Sequence, residues 1–361
     1  MSTNRGTILT KSPYFITEVV SAGATSTIEI RVWNGSSTAE PADPNYSLRK
    51  QALSTTSTNV SFEICKIVND IIEHKSNVYT ISPTSGKTDS LWVNIKSFGG
   101  TTNRDDTWLA LDGYSDFLDG INYALSTPIL ISERILYHYD NIPLRLPVFV
   151  SGSSNTNTVE FIKGGVAQSV TSYTSLTGSL NSYDKIQYVN ETNYAPGDID
   201  SIWIKNGVGG VIDTIAIVPM ECTRYTPHIV SFINRFGANQ ELIFGLVSKN
   251  KITVKKDSYR RQVLVYTNGV PSYDTTRHNT KDYNSNVTEV ITLNSNYIDE
   301  SLNDTIGELI SSETVWITSG GITYPVNVST STLDYKKSIN EGLINYTISF
   351  DKAFDNRNTI Y

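Results

Sequence analysis

Cysteine is nearly absent: Cys65 and Cys222 are the only two in 361 residues. Two cysteines cannot build a disulfide framework, and their spacing matches no zinc pattern, so both are expected as buried thiols. Charge is also sparse, at 18% of residues with a formal balance of -7. That balance lacks the cation excess that displaces phosphate counterions, which excludes a nucleic-acid binder. No stretch approaches the roughly 20 apolar residues of a membrane helix, so no membrane partner is expected. The opening MSTNRGTILTKSPYF contains no uninterrupted apolar core of a secretion signal, and folding in a cytoplasm is expected. The four histidines, His74, His138, His228 and His278, are scattered and no pair has the i, i+4 spacing of a helical metal site. No G-x-S-x-G elbow occurs, and neither cysteine has a catalytic signature around it.

What is present is Ser, Thr and Asn in quantity, together with 21 tyrosines. Ser and Asn suit turns, while Thr, Tyr, Ile and Val suit pleated, half-buried surfaces. The composition predicts an all-β protein: tandem β-sandwich-like domains with one or two short accessory helices. TIEIRVW (27–33) alternates with period two, and SLWVNIKSF (90–98), TWLALDGYSDF (107–117), PILISERILYHY (128–139) and LRLPVFV (144–150) read as further strands. Short runs such as KIQYVN (185–190), SIWIKN (201–206) and VIDTIAIV (211–218) continue a sandwich pattern.

Two segments have helical period instead. In SFEICKIVNDIIEHK, Ile64, Ile67, Val68, Ile71 and Ile72 form one stripe, predicting a helix near 62–75. In SLNDTIGELISS, Ile306, Leu309 and Ile310 share a face near 303–311, with Asn303 or Asp304 as the cap. The low-complexity SGSSNTNT (151–158) suggests a seam. The expected division is 1–150, 151–225 and 226–361, with 271–286 a polar stretch between strands of the last part.

Several stretches imitate chemistry. SGKT (85–88) looks like the end of a phosphate loop, but Ile81 stands where the first glycine belongs and SLWVNIK reads as a strand. Asp105, Asp106, Asp112, Asp116 and Asp119 crowd one segment, yet their spacing does not fit a calcium loop. A carboxylate pair such as Asp112 and Asp116 would suit a glycosidase only at the right separation, which spacing alone does not show. His228 alternates with Val230 and Phe232 and reads as a hydrogen-bonded strand histidine. KNKITVKKDSYRR (249–261) packs six cations around Ile252 and Val254; it reads as a solvated or edge strand, with an acidic partner surface as the other option. No catalytic, cofactor-binding or metal-ligating residue is assigned.

ECTRYTPHIVSFINRFGANQELIFGLVSK (221–249) reads as a hairpin with no nucleophile or base near it. Gly237 supplies positive φ for a tight turn, and Val230 and Phe232 share a face. Phe236 and Phe244 offer apolar area either to the chain's own second sheet or to a neighbouring subunit. The hairpin is expected to serve assembly.

TRYTPHIVSFINRFGANQELIF resembles a pattern in virion structural proteins of tailed bacteriophages: a Tyr-Thr-Pro lead-in, an aromatic strand, Asn-Arg/Lys-Phe-Gly, then a strand with an acidic and an aromatic residue. The C-terminal ELISSETVWIT, YPVNVST and LINYTISFDKAF are similar to the same set, as are KSPYFI, IEIRVWNG and FEICKIVNDII nearer the start. The resemblance is carried by the order of these blocks and leaves residues 150–210 uncovered. It implies a non-enzymatic tail, baseplate or neck component that contacts copies of itself and neighbouring virion proteins, located in the virion after synthesis in the host cytoplasm. The alternative is a receptor- or carbohydrate-binding module on the phage tail. There Trp33, Trp92, Trp108, Trp203 and Trp316 would stack on a host-surface glycan and the 105–119 segment would hold an ion.

Overall fold

The computed structural model describes residues 3–354 apart from 36–38, 54, 75–89, 102, 123–124, 126, 150–155, 175–185, 221–223, 333 and 336–342. The SGKT stretch and Cys222 lie outside the described residues, as do 151–155 of the low-complexity tract. The protein is all-β, built of sandwich-like layers, with two short α-helices among the described residues.

The first layers comprise β1 (Thr3–Leu9), β2 (Phe15–Val20), β3 (Thr25–Trp33), β4 (Tyr46–Gln51), β5 (Thr58–Glu63), α1 (Cys65–Asn69), β6 (Ser90–Phe98) and β7 (Asp105–Leu111). Five form a sheet in the order β1-β7-β6-β3-β4, and β2 pairs with β5 across the core. Ile28, Ile30, Val93, Ile95 and Trp108 point into that core. Their neighbours Trp33, Trp92 and Leu109 point out of the opposite face into a second cluster. Strands buried on both faces read as apolar runs such as LWV and WLAL, where a half-buried strand would alternate.

The helix expected near 62–75 is only five residues long. Ser61–Glu63 instead extend β5 against β2, and the Glu63 carboxylate accepts from Cys65 N at 2.8 Å, starting the helix late. The apolar stripe itself is real: Ile64 and Val68 are buried, with Ile67, Ile71 and Ile72 packed beside them. Cys65 is buried and free, and burial pushes its thiol up to about 12.

β8 (Ile135–Tyr139), β9 (Leu144–Phe149), β10 (Thr156–Lys163), β11 (Val166–Thr174), β12 (Ile186–Glu191), β13 (Ser201–Lys205) and β14 (Val211–Met220) follow. Their main sheet has the order β11-β10-β13-β14-β8, and β12 pairs with β9. Sheet pairing therefore crosses residue 150, because β8 and β9 find their partners downstream of it. Phe161, Ile202, Ile204 and Ile215 pack against Leu146 and Val148 between the two layers.

The last part holds β15 (His228–Ile233), β16 (Asn239–Phe244), β17 (Lys249–Arg260), β18 (Leu264–Thr267), β19 (Val270–Tyr273), β20 (Thr280–Asn294), β21 (Ile298–Asp299), α2 (Asn303–Ser311), β22 (Val315–Ser319), β23 (Ile322–Val328), β24 (Leu343–Ile344) and β25 (Thr347–Lys352). Seven make one sheet, β16-β15-β22-β23-β25-β20-β17, with Ile306 and Leu309 of α2 buried against it. The chain enters α2 through a 3-10 turn, so the first free N–H groups lie earlier than expected. Asp299, not Asn303 or Asp304, supplies the cap, accepting from Ser301 N at 2.9 Å. The polar stretch 271–286 is largely strand, since β19 and β20 reach into it and antiparallel partners satisfy its backbone.

Candidate interaction surfaces

The β15–β16 turn is Asn234-Arg235-Phe236-Gly237-Ala238, closed by Gly237 N to Asn234 O at 2.9 Å and Asn234 N to Ala238 O at 2.9 Å. Gly237 has φ 75°, the left-handed region that glycine enters without steric cost. The Asn234 side chain ties the turn together. Its Oδ1 accepts from Phe236 N and Ala238 N, both at 3.1 Å, and its Nδ2 donates to Leu130 O at 2.6 Å and Gln240 Oε1 at 2.9 Å.

This turn is inserted among the three groups of layers. Tyr114 N donates to Arg235 O at 2.8 Å, and Asn239 N donates to the Tyr188 hydroxyl at 3.1 Å. Gly113 and Gly237 meet so closely that a Cβ on Gly113 would lie 2.5 Å from Arg235 O, and one on Gly237 2.8 Å from Asp112 N. Phe236 and Ala238 join a cluster with Trp92, Leu111, Phe149 and Tyr188. Phe244 packs edge-on to Phe350 at 6.3 Å between centroids. The layer covering both phenylalanines is therefore the chain's own. The hairpin expected to serve assembly therefore has its two large phenylalanines covered within the chain.

The crowded carboxylates are separated by the strand that carries them. Asp106 pairs with Arg104 at 2.8 Å, and Asp105 accepts from Asn94 Nδ2 at 2.8 Å. Asp112 meets His74 at 2.7 Å and Lys11 at 3.2 Å, while Asp116 meets Arg235 at 3.1 Å. Among the described residues no three His, Cys, Asp or Glu side chains come together as a metal site. His228 departs from expectation, for its Nδ1 is buried without a hydrogen-bond partner. Burial lowers its pKa and that of His138, favouring neutral rings. Trp33, Trp92, Trp108 and Trp316 are buried and cannot stack on a ligand.

Glu308 on α2 was not singled out in the sequence, although it links two layers. Its carboxylate accepts from Ser132 Oγ and, at 3.2 Å, from Arg235 N. Burial pushes its pKa above the ordinary glutamate value, more than these hydrogen bonds lower it. The folded state therefore holds this proton more tightly than the unfolded chain. Stability from this group is greatest below about pH 4 and declines as pH rises through the raised folded value. Glu308→Gln should remove that part of the decline. Urea denaturation from pH 4 to 8 checks it, and an unchanged slope in the variant would refute it.

Among the described residues, two uncovered surfaces combine large exposed apolar side chains with charge. One is the ribbon of β17 and β20. Only Val290–Asn294 of β20 pair with β25, so among the described residues no third strand joins the ribbon beyond Lys251. Its nine residues Ile252–Arg260 project about 30 Å at 3.3 Å each. Every residue of β17 is exposed, including Ile252 at 61%, and Tyr283 opposite is 68% exposed and 6.0 Å from Tyr259 between ring centroids. The edge-strand reading of 249–261 holds, but among the described residues no layer covers either face of the arm.

The other is a groove of about 610 Å³ lined by Lys11–Phe15, Tyr114–Phe117 and Gly120–Asn122. At its rim a 3-10 turn, Phe117–Asp119, holds Phe117 97% and Leu118 95% exposed, with Phe15 and Ile121 exposed beside them. Large apolar side chains that fully exposed, and grouped, mark interaction sites rather than ordinary surface. No protein-family model matches this chain, and comparison with curated proteins gives no match.

Proposed function

We propose that this chain is a non-enzymatic structural component of a bacteriophage virion, in the tail, baseplate or neck, acting through subunit contacts in an oligomeric assembly. The observation that carries the assembly part of this reading is the β17–β20 arm. An isolated two-stranded ribbon is marginally stable in water, and this one has apolar residues on view with no second layer over either face among the described residues. Such an element suits a neighbour that covers it. The virion part rests on the ordered blocks of sequence that resemble tailed-phage proteins.

The carboxylates favour the same reading, since Asp106, Asp112 and Asp116 each pair with a cation of the chain itself. In the adhesin alternative the tryptophans would form the sugar platform, and four of the five are in the interior. Among the described residues no helix is long and apolar enough to cross a membrane. Mass spectrometry of purified particles tests the proposal. The protein should appear at stoichiometric abundance, and its absence from particles would overturn the assignment.

A further inference from the structure

Two uncovered surfaces on one chain invite the question of whether they fit each other. Residues 249–294, which include the arm, carry eight Lys and Arg against four Asp and Glu, a net of +4. The remainder of a chain whose total is -7 therefore carries -11. The groove rim supplies Asp119, beside Asp116, which is 58% exposed, and Glu313 lies close by, bridged to Lys11 at 3.5 Å and 76% exposed. Both surfaces offer apolar area and they differ in charge.

The topology directs the two surfaces of one copy away from each other. β15 and β17 lie five places apart in a sheet whose consecutive pairings from β15 to β17 are all antiparallel. Five reversals make the two strands run in opposite directions. The turn after β15, which abuts Asp112–Tyr114 beside the groove, leaves one end of the sheet. The arm leaves the other end. It also springs from the far edge of the sheet, about 24 Å from β15 at 4.8 Å per strand.

We propose that the β17–β20 arm of one copy docks in the Lys11–Phe15, Tyr114–Phe117 and Gly120–Asn122 groove of a second copy, joining subunits head to tail. This inference rests on the assembly reading above and names its partner. Ile252 and Val254 cover Phe117, Leu118 and Ile121, and Lys256 on the same face of β17 meets Asp119 and Glu313. Lysines on the free edge of β17 discourage strand addition, so the arm engages by its faces. An interface between two different surfaces is heterologous and continues from copy to copy into a ring or a helical row.

Sedimentation velocity of the full chain across a range of concentrations tests this. Wild type should associate, at least tenfold more weakly in 0.5 M than in 0.05 M salt, because exposed charges are screened. Ile252→Glu with Val254→Glu should leave monomers, as should Phe117→Ser with Leu118→Ser. All four positions are exposed, so circular dichroism should be unchanged; Asp116 is left intact because it pairs with Arg235. Mixing the two monomeric variants should give a dimer and nothing larger, since only one intact arm and one intact groove remain. A wild type that stays monomeric, variants that assemble normally, or a mixture that stays monomeric would each overturn the docking. Protein found in particles but monomeric alone would defeat self-docking and leave the virion reading standing. Head-to-tail assembly without presence in particles would do the reverse.

Discussion

Gly113→Ala should lower the stability of the protein by about 3 kcal/mol, at the upper end of what overpacking costs. The added carbon would sit 2.5 Å from Arg235 O and 2.8 Å from the Phe236 carbonyl carbon. Both are backbone atoms of a hydrogen-bonded turn, so no side-chain rotation relieves the clash. The turn would have to move away from Asp112–Tyr114, taking with it the Tyr114 N to Arg235 O bond and the contacts of Phe236 and Ala238 with the cluster that all three groups of layers share. Gly237→Ala should cost a similar amount, by the reciprocal clash with Asp112 N and the strain of φ 75° in a residue with a Cβ. Because the two glycines face one another, the double variant should cost less than the two losses added together. Gly164→Ala is the control: φ is also positive there, at 56°, but nothing lies within 4 Å. If denaturant unfolding shows Gly113→Ala to be no worse than this control, the close approach does not hold the layers together.

Asn234→Ala should be as damaging, again by about 3 kcal/mol, because it leaves buried backbone groups without partners at about 1–3 kcal/mol each. Those groups are Phe236 N, Ala238 N and Leu130 O, and the side chain they would lose is 2% exposed. Asn234→Asp separates the two halves of the amide. Its oxygens still accept from the turn, but a carboxylate facing Leu130 O and Gln240 Oε1 is buried against acceptors, which raises its folded pKa. Stability should then be poor at neutral pH and recover on acidification below that raised value, when the protonated acid can donate one bond. A variant as stable as wild type at pH 8, or one that fails to recover in acid, would show that the Nδ2 donations contribute little.

Much of the fold was legible because its signals are local. The alternation of Ile28, Ile30 and Val32, the Ile306–Leu309 stripe and the positive φ of Gly237 each need only a few neighbouring residues. The errors occurred where distant parts compete. α1 is shorter than its apolar stripe because β2 claims Ser61–Glu63 for a strand. Thr280–Asn286 read as a loop because polar residues lack a period-two signal, yet β17 supplies a full antiparallel partner. Glu308 was overlooked because an acid on a helix ordinarily faces water, and only the approach of Ser132 and Arg235 puts it inside.

The candidate surfaces divide along the same line. That 249–261 would be a basic edge strand followed from alternating Ile252 and Val254 among lysines, and that Asp105–Asp119 would be crowded with carboxylates is plain from spacing. Strand propensity, turn chemistry and charge are properties of short segments, so the order of residues dictates them, and with them the all-β class. Whether a face is covered depends on which segments arrive from far away. Asn234 and Leu130 are 104 positions apart, and no local pattern encodes their meeting. Tertiary packing alone covered Phe236 and Phe244 of the β15–β16 hairpin, left the arm and the groove exposed, and sent the arm and the turn beside the groove out of opposite ends of the last sheet.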